Sequence, residues 1–303
     1  MYDSILQAIG NTPLLRLSHL DKGLPGRVWV KLENRNPGGS IKDRVALHLL
    51  RSALATGKVK PGGVVCEGTS GNMGIGISLV ARALGLKPVI AMPESMSIER
   101  RKIMQAFGAE LILTPGPAGM AGAVAAAEQV VAERGGYLVG QFTNPLALEA
   151  HYTTTGPEIY EATGGRAAVL LAGVGSGSSL CGAGRYLKER IPGFRMIAVE
   201  PALSPVLSGG KPASHPIQGI GANFIPAIVD LSLIDEILQA DGDEAMDFAR
   251  RMITIEGVSC GISSGSNVAM ALKVAARPES EGKDIITFVT DTGERYLSTA
   301  LFQ

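Results

Sequence analysis

The strongest constraint on the fold of this 303-residue chain is the alternation of short apolar runs with longer amphipathic segments. Continuous apolar runs are typical of strands that are buried on both faces of a sheet. Such runs lie at residues 28–32, 64–66, 89–92, 111–113, 137–139, 169–172, 196–199 and 285–289. Helices are predicted between them at residues 44–56, 97–107, 120–133, 180–190, 244–255 and 268–276. The alternation predicts an α/β fold, with parallel sheets that carry helices on both faces.

The composition excludes several classes of protein. The 28 lysines and arginines balance 28 aspartates and glutamates, which argues against nonspecific nucleic-acid binding as the main function. The chain is 46% hydrophobic and only 18% charged, so it is too apolar to be disordered. The sequence contains no long uninterrupted apolar stretch and no export signal at its start. We therefore expect a cytoplasmic protein without a membrane segment.

The cysteines and histidines do not form a recognisable metal or disulfide pattern. Cys66, Cys181 and Cys260 are far apart in the sequence, and four histidines are scattered along it. An odd, sparse set of cysteines without a CxxC pair predicts neither a disulfide framework nor a zinc site. We expect no metal and a reducing compartment.

Glycine is over-represented, and its clusters carry the candidate chemistry. The chain has 39 glycines, about 13% of its residues where roughly 7% is usual. Four clusters lie at residues 36–44, 67–74, 173–179 and 261–267, each next to a predicted helix. A long loop rich in glycine, proline and serine is predicted at residues 202–226, and loops of this length are often functional.

The first two clusters suggest a reactive amine and an anion site. Lys42 lies at the start of a predicted helix, where the positive helix end lowers the pKa of an ammonium group. A neutral lysine can form a Schiff base or act as a base, although most lysines are solvated surface charges. The cluster at residues 67–74 offers backbone N–H groups and hydroxyls at a helix start, which suits a carboxylate or a phosphate. A tight turn needed only for packing explains that cluster equally well.

The last two clusters suggest a phosphate group and a helix start. The segment 173–179 is a glycine-rich loop between a strand and a helix, but its spacing matches neither a dinucleotide fingerprint nor a Walker loop. The serine-rich segment 261–267 is explained by helix capping alone. A phosphate loop, a Schiff-base lysine and a second anion site together fit pyridoxal phosphate and an amino-acid substrate.

Several ordered motifs resemble those of the cysteine synthase (O-acetylserine sulfhydrylase) family, which are fold-type II pyridoxal-phosphate enzymes related in fold to the tryptophan synthase β-subunit. The resemblance covers essentially the whole chain. The matching segments are residues 9–14, 36–44, 69–74, 93–94, 99–101, 141–142, 144–145, 154–159, 218–222, 261–265 and 293–299.

The resemblance implies a role for each matching residue. It implies that Lys42 holds pyridoxal 5′-phosphate as an internal aldimine and is the catalytic base. It also implies that Asn72 bonds the 3′ oxygen of the cofactor and that Ser263 faces the ring nitrogen. The implied phosphate loop is Gly175, Ser176, Gly177, Ser178 and Ser179. The implied substrate-binding residues are Thr69, Ser70, Gly71, Met73 and Gln141.

The same resemblance implies the fold and the reaction. We expect two domains, each with a mostly parallel twisted sheet: residues 1–42 with 146–303 form the large cofactor domain, and residues 43–145 form a smaller mobile domain that closes on substrate. The expected reaction is β-replacement, in which O-acetyl-L-serine and sulfide give L-cysteine and acetate through an aminoacrylate. We expect a transferase of cysteine biosynthesis that forms a homodimer, with serine acetyltransferase as a candidate partner.

Some residues depart from the common family pattern. Met73 replaces a usual threonine, Ser176 replaces a frequent threonine, and Ser178 and Ser179 replace Gly-Thr. Asn223 replaces a glycine and Asp291 a serine. Met73 and Ser176 resemble the β-cyanoalanine synthase branch, although neutral drift explains each change as well.

Two other functions therefore stay open at this point. One is a cysteine-consuming, sulfide-releasing enzyme such as a β-cyanoalanine synthase. The other is a regulatory module that binds serine acetyltransferase.

Overall fold

The computed structural model describes residues 1–95 and 97–303, and the chain divides into two compact units. Unit 1 comprises Met1–Gly10 and Asn36–Ala147, and unit 2 comprises Asn11–Arg35 and Leu148–Gln303. The predicted boundaries had placed residues 1–10 and 36–42 with the larger domain. They belong to unit 1 because the Gly10 N–H donates to Asn36 Oδ1 at 2.8 Å and the turn that follows Asn36 leads directly into the first helix of that unit.

The described residues form ten strands and nine α-helices. The strands are β1 (Leu14–Arg16), β2 (Arg27–Leu32), β3 (Val64–Gly68), β4 (Lys87–Pro93), β5 (Glu110–Thr114), β6 (Tyr137–Leu138), β7 (Ala167–Gly173), β8 (Arg195–Pro201), β9 (Glu236–Ala240) and β10 (Asp284–Val289). The helices are α1 (Lys42–Ala55), α2 (Asn72–Ala83), α3 (Ile98–Ala106), α4 (Gly119–Arg134), α5 (Leu146–Ala150), α6 (Gly156–Thr163), α7 (Ser178–Lys188), α8 (Gly242–Thr254) and α9 (Ile262–Ala275).

Unit 1 is built on a four-stranded parallel sheet in the order β5-β4-β3-β6. Helix α4 packs on its two central strands through an apolar cluster of small and branched side chains: Cys66, Val89, Ala91, Ala123, Ala127 and Val130. Helices α1 and α2 pack against each other in the same unit. The loops that follow β3 and β6 therefore lie at the same carboxyl edge of this sheet, where ligands bind in open α/β sheets.

Unit 2 is built on a six-stranded sheet in the order β1-β2-β10-β7-β8-β9. Only the edge strand β1 is antiparallel to its neighbour among the strands that the structure describes in this sheet. Helix α9 is buried along nearly its whole length against the sheet and against α8. The carboxyl ends of β7 and β10 lead into the loops that begin at residues 174 and 290.

The predicted α/β class with two mostly parallel sheets is confirmed, and each of the eight predicted strands is present. The short edge strands β1 and β9 were not predicted. Helix α9 begins at Ile262 rather than at residue 268, because Ser263–Asn267 are buried in its first turns and not in a loop. Residues 202–226, all described, contain no helix or strand, as predicted.

None of the helices in the described part of the chain combines the length and the apolar character that a membrane span requires. Within residues 1–95 and 97–303 there is also no group of three or more histidine, cysteine, aspartate or glutamate residues placed to hold a metal ion. The three cysteines are free and buried.

Candidate active site

Lys42 is the first residue of α1, and the turn before it is held by a buried carboxylate. The Gly38 N–H donates to Asp43 Oδ2 at 2.5 Å, and Gly39 has a φ of +74°. A Cβ on Gly38 would lie 2.5 Å from Asp43 Oδ1, so only glycine allows the chain to pass this close. The turn therefore fixes where α1 begins and places Lys42 in its first turn.

Burial makes the Lys42 amine easier to deprotonate. It lowers the pKa of Lys42 to about 8 from an ordinary value near 10.5. The direction follows from desolvation, which disfavours a charged ammonium group. An appreciable fraction of the side chain is consequently neutral near pH 7.5, the form that acts as a nucleophile or a base.

The start of α2 lies next to the start of α1. A Cβ on Gly76, one turn into α2, would lie 3.1 Å from the Lys42 carbonyl oxygen, so glycine permits the close packing of these two helices. Lys42 and Asn72 therefore begin two packed helices of unit 1.

The loop before α2 presents small polar groups at the helix N-terminus. Gly71 is the N-cap residue and makes no side-chain capping hydrogen bond, while its N–H lies 3.3 Å from Thr69 Oγ1. Ser70 and Asn72 are partly exposed. The side chain of Met73 is almost fully buried, with 1% exposure. The orphan N–H groups of a helix start, together with these hydroxyls, suit a carboxylate.

Gln141 is held beside this loop by Glu67, a residue for which the sequence predicted no role. Glu67 lies on β3 and accepts the Gly140 N–H at 2.7 Å and the Gln141 N–H at 3.3 Å. Burial raises the pKa of Glu67 to about 7, although these hydrogen bonds oppose the rise. The signal available in the sequence was a carboxylate within a buried apolar strand.

In unit 2, the predicted phosphate loop joins β7 to α7. Gly177 is the N-cap residue in the left-handed conformation, with a φ of +80°. Ser176 Oγ and Ser178 Oγ are 3.0 Å apart and both side chains are buried, whereas Ser179 is partly exposed. A Cβ on Gly175 would lie 2.6 Å from the Gly219 carbonyl oxygen. This loop passes so close to its neighbours that glycine is needed, and it ends at a helix N-terminus.

Ser263 lies beside the same stretch of backbone. A Cβ on Gly219, whose φ is +103°, would lie 3.2 Å from Ser263 Oγ. The Ser263 hydroxyl forms a hydrogen bond with Thr290 at 2.9 Å. Unit 2 thus brings both Ser263 and Gly175 close to Gly219, although they are far apart in the sequence. Thr290 was not predicted, since spacing along the chain gives no signal for it.

These features fit pyridoxal phosphate. The loop at residues 175–179 combines a left-handed glycine, buried hydroxyls and a helix start, which is the chemistry that a phosphate monoester requires. The Ser263 hydroxyl is a partner that can bond a pyridine nitrogen. In unit 1, considered by itself, Lys42 is an amine of lowered pKa.

A family model described as pyridoxal-phosphate dependent enzyme matches residues 5–291 of the chain. The chain belongs to this family. It is therefore pyridoxal-phosphate dependent, as the sequence predicted.

Individual relatives place the chain more narrowly, among the cysteine synthases. It is 45% identical over 301 residues to the cysteine synthase of Staphylococcus aureus (strain Mu50 / ATCC 700699), which covers 99% of this chain and 97% of the relative. The crystal structure of cysteine synthase from Entamoeba histolytica superposes with a TM-score of 0.96 at 42% identity, covering 100% of this chain and 91% of that one. A hydrogen sulfide-producing enzyme from Fusobacterium nucleatum is similar with a TM-score of 0.94 at 38% identity, covering 98% and 100%. The predicted family is thus confirmed.

Proposed function

We propose that this protein is a cysteine synthase that converts O-acetyl-L-serine and sulfide into L-cysteine and acetate. The observation that carries the proposal is the full-length match, at 45% identity, to a cysteine synthase. It is supported by the lysine of lowered pKa at the start of α1 and by the glycine- and serine-rich loop before α7.

When bound, pyridoxal phosphate supplies a carbonyl carbon that captures amines and a conjugated ring that accepts electron density from the substrate. We assign the binding of the cofactor and of the substrate to residues of this chain. Gly175, Ser176, Gly177, Ser178 and Ser179 bind the phosphate. Asn72 bonds the ring oxygen, and Ser263 bonds the ring nitrogen. Thr69, Ser70, Gly71 and Gln141 bind the substrate carboxylate, and Met73 is assigned to the same subsite.

Lys42 Nζ holds the cofactor before substrate arrives, removes the proton from the substrate α-carbon and returns a proton there after sulfide has added to the β-carbon. A pKa of about 8 suits both steps, because a general base works best when its pKa lies near the operating pH. Acetate leaves from the β-carbon with the electron pair of the C–O bond, and hydrosulfide supplies the new C–S bond.

The decisive test compares two reactions of the purified holoenzyme. We expect a higher kcat/KM for O-acetylserine plus sulfide than for cysteine plus cyanide. The opposite ranking would assign the protein to the sulfide-releasing branch, which Met73 and the similarity to the sulfide-producing enzyme make the second candidate. Lys42→Ala should abolish both turnover and the absorbance of the lysine-bound cofactor; retention of that band would refute the assignment of Lys42.

We also propose that the enzyme works as a homodimer in the cytoplasm and that serine acetyltransferase is a partner. These proposals rest on the family resemblance. Light scattering of the purified protein tests the dimer, and titration with the C-terminal peptide of a serine acetyltransferase tests the partner. A monomer at micromolar concentration would contradict the first, and an unchanged cofactor fluorescence would contradict the second.

A further inference from the structure

Three hydroxyl groups of unit 2 form a chain of hydrogen bonds where β10 ends and α9 begins. Thr290 Oγ1 lies 2.9 Å from Ser263 Oγ and 3.0 Å from Ser264 Oγ. Ser263 is 3% exposed and Ser264 is fully buried. Buried hydroxyls need hydrogen-bond partners, so the direction in which each proton points is restricted.

The direction of this chain can be worked out from its buried end. The Thr290 backbone N–H donates to Ser264 Oγ at 2.9 Å, which leaves the Ser264 proton free to be donated. The acceptor within hydrogen-bond distance is Thr290 Oγ1, at 3.0 Å. The sulfur of Cys260 is the other candidate acceptor close to Ser264.

The oxygen is the better acceptor of the two. Burial raises the pKa of the Cys260 thiol far above its ordinary value, with a further increase from the charge of Asp291. Cys260 therefore stays a protonated thiol, and its sulfur is only a weak acceptor. Ser264 consequently donates to Thr290, whose own proton then has Ser263 Oγ as its remaining hydroxyl acceptor.

With that acceptor site of Ser263 filled, the Ser263 proton points away from Thr290. We propose that Thr290 is a positioning residue that holds the Ser263 hydroxyl as a hydrogen-bond donor toward the ring nitrogen of pyridoxal phosphate. The proposal deepens the proposed function and rests on its assignment of Ser263 to that nitrogen.

The consequence is a bias against protonation of the ring nitrogen. A pyridinium N–H needs an acceptor. Ser263 Oγ accepts it only at a cost: either the Ser263 proton loses its acceptor, or it turns back toward Thr290 and the whole chain reverses. Asp291, the residue after Thr290, places a carboxylate close to this chain, and its Oδ2 accepts the Tyr296 hydroxyl at 2.7 Å. A nearby negative charge favours pyridinium, and the hydroxyl chain opposes that effect. An unprotonated ring withdraws electrons less strongly, which favours β-replacement over transamination.

The test uses holoenzyme reconstituted with pyridoxal phosphate labelled with ¹⁵N in the ring, and follows the ¹⁵N chemical shift as the pH is lowered. Thr290→Val removes the hydroxyl at nearly constant volume. We expect it to raise the pH at which the ring nitrogen becomes protonated by roughly half to one unit, the size that one ordinary hydrogen bond supports. Thr290→Ser keeps the hydroxyl and should titrate like the wild type.

Two further variants keep the test decisive. Ser264→Ala removes the upstream donor and should shift the titration in the same direction as Thr290→Val, so it replaces that variant if Thr290→Val does not fold. Thr292→Val, in the same loop, removes a hydroxyl that makes no capping hydrogen bond, and it should leave the titration unchanged.

An unchanged titration in folded Thr290→Val or Ser264→Ala overturns the proposal, even if cofactor affinity or activity falls, because a merely structural role would give that result. Ser263→Ala distinguishes a wrong assignment of Ser263 to the ring nitrogen from a wrong positioning role for Thr290. If this variant leaves the ¹⁵N shift of the cofactor unchanged, the assignment of Ser263 to the ring nitrogen is wrong, and the proposal for Thr290 fails with it. The proposed reaction is tested separately, by the turnover of O-acetylserine and sulfide by the wild type.

Discussion

Replacing Glu67 with glutamine should remove a pH-dependent loss of stability that the buried carboxylate imposes on the protein. Glu67 is 4% exposed, and burial raises its pKa to about 7 from an ordinary value near 4.5. Between these two pH values the folded protein binds more protons at this site than the unfolded chain does. Stability from this group is therefore fully present below pH 4.5 and is lost as the pH rises through 7.

The size of the effect follows from the two pKa values. A shift of one pKa unit corresponds to about 1.4 kcal/mol, so between pH 5 and pH 8 the wild type should lose about 2.5 kcal/mol through Glu67. Glutamine does not titrate. The difference in the free energy of unfolding, wild type minus Glu67→Gln, should consequently fall by about that amount over this range. At pH 5 the folded wild type holds a proton on Glu67, yet both of its oxygens can still accept, whereas the N–H₂ group of glutamine accepts no hydrogen bond. Glutamine therefore leaves the N–H of Gly140 or Gln141 without its acceptor, and the variant should be the less stable protein at pH 5.

Urea denaturation of both proteins at pH 5, 6, 7 and 8 measures the difference. Glu110→Gln is a matched control in the same unit, since Glu110 is exposed and paired with Arg134. The NMR titration of the Glu67 side-chain carbon in the wild type checks the pKa directly and does not require the variant to fold. A stability difference that stays constant from pH 5 to pH 8, or that grows with pH, would refute the reasoning.

Three further predictions concern Lys42, the phosphate loop and a buried ion pair. In cofactor-free protein, the rate at which acetic anhydride acylates Lys42 should rise with pH, with a midpoint near pH 8. A midpoint above about pH 10, the ordinary lysine value, would contradict the effect of burial. Gly177→Ala should weaken pyridoxal-phosphate binding in a titration, because the φ of Gly177 is +80° and the new Cβ would lie 2.3 Å from Val229 Cγ2. Adding Val229→Ala should restore part of the affinity. Wild-type affinity in the single variant would refute the steric argument. Lys31→Met should lower the free energy of unfolding in urea by about 3 kcal/mol, because Lys31 is buried and bonds Glu158 at 2.6 Å. The double variant with Glu158→Gln should recover much of that loss. A loss below about 1 kcal/mol in the single variant would show that the ion pair is effectively solvated.

The central strands of both sheets could be predicted from the sequence because each is buried on both faces and so must be continuously apolar. The two edge strands of the unit 2 sheet, β1 and β9, could not. β1 has only three residues, two of them exposed, and β9 carries Glu236 and Gln239. These two strands lie at the edges of their sheet and carry polar or exposed residues, so their sequences do not differ from those of loops.

The residues of the candidate site likewise include some that the sequence could indicate and some that it could not. Lys42 and the glycine-rich loops could be proposed from the sequence because reactive amines and anion sites at helix starts leave local signals; their roles stay predictions. Glu67 and Thr290 act on residues 74 and 27 positions away along the chain, and only the pairing of strands and helices brings these partners together. The start of α9 was misplaced for a related reason: Ser263–Asn267 resemble loop residues, yet their hydroxyl and amide groups are satisfied inside the fold by Thr290, Phe288 and Gly173.

The pairing of β2 with β10 has a consequence for synthesis. Arg27 pairs with Asp284 and Leu32 with Val289, so the partner of one of the first strands to leave the ribosome is the last strand to be made. At about 5–20 residues per second, β2 waits roughly ten to fifty seconds with one edge uncovered. The sheet of unit 1 uses only strands from residues 64 to 138 and can assemble during that interval. Nascent chains should therefore protect unit 1 from proteolysis first, and the segment around β2 is where a ribosome-associated chaperone is expected to bind until β10 emerges.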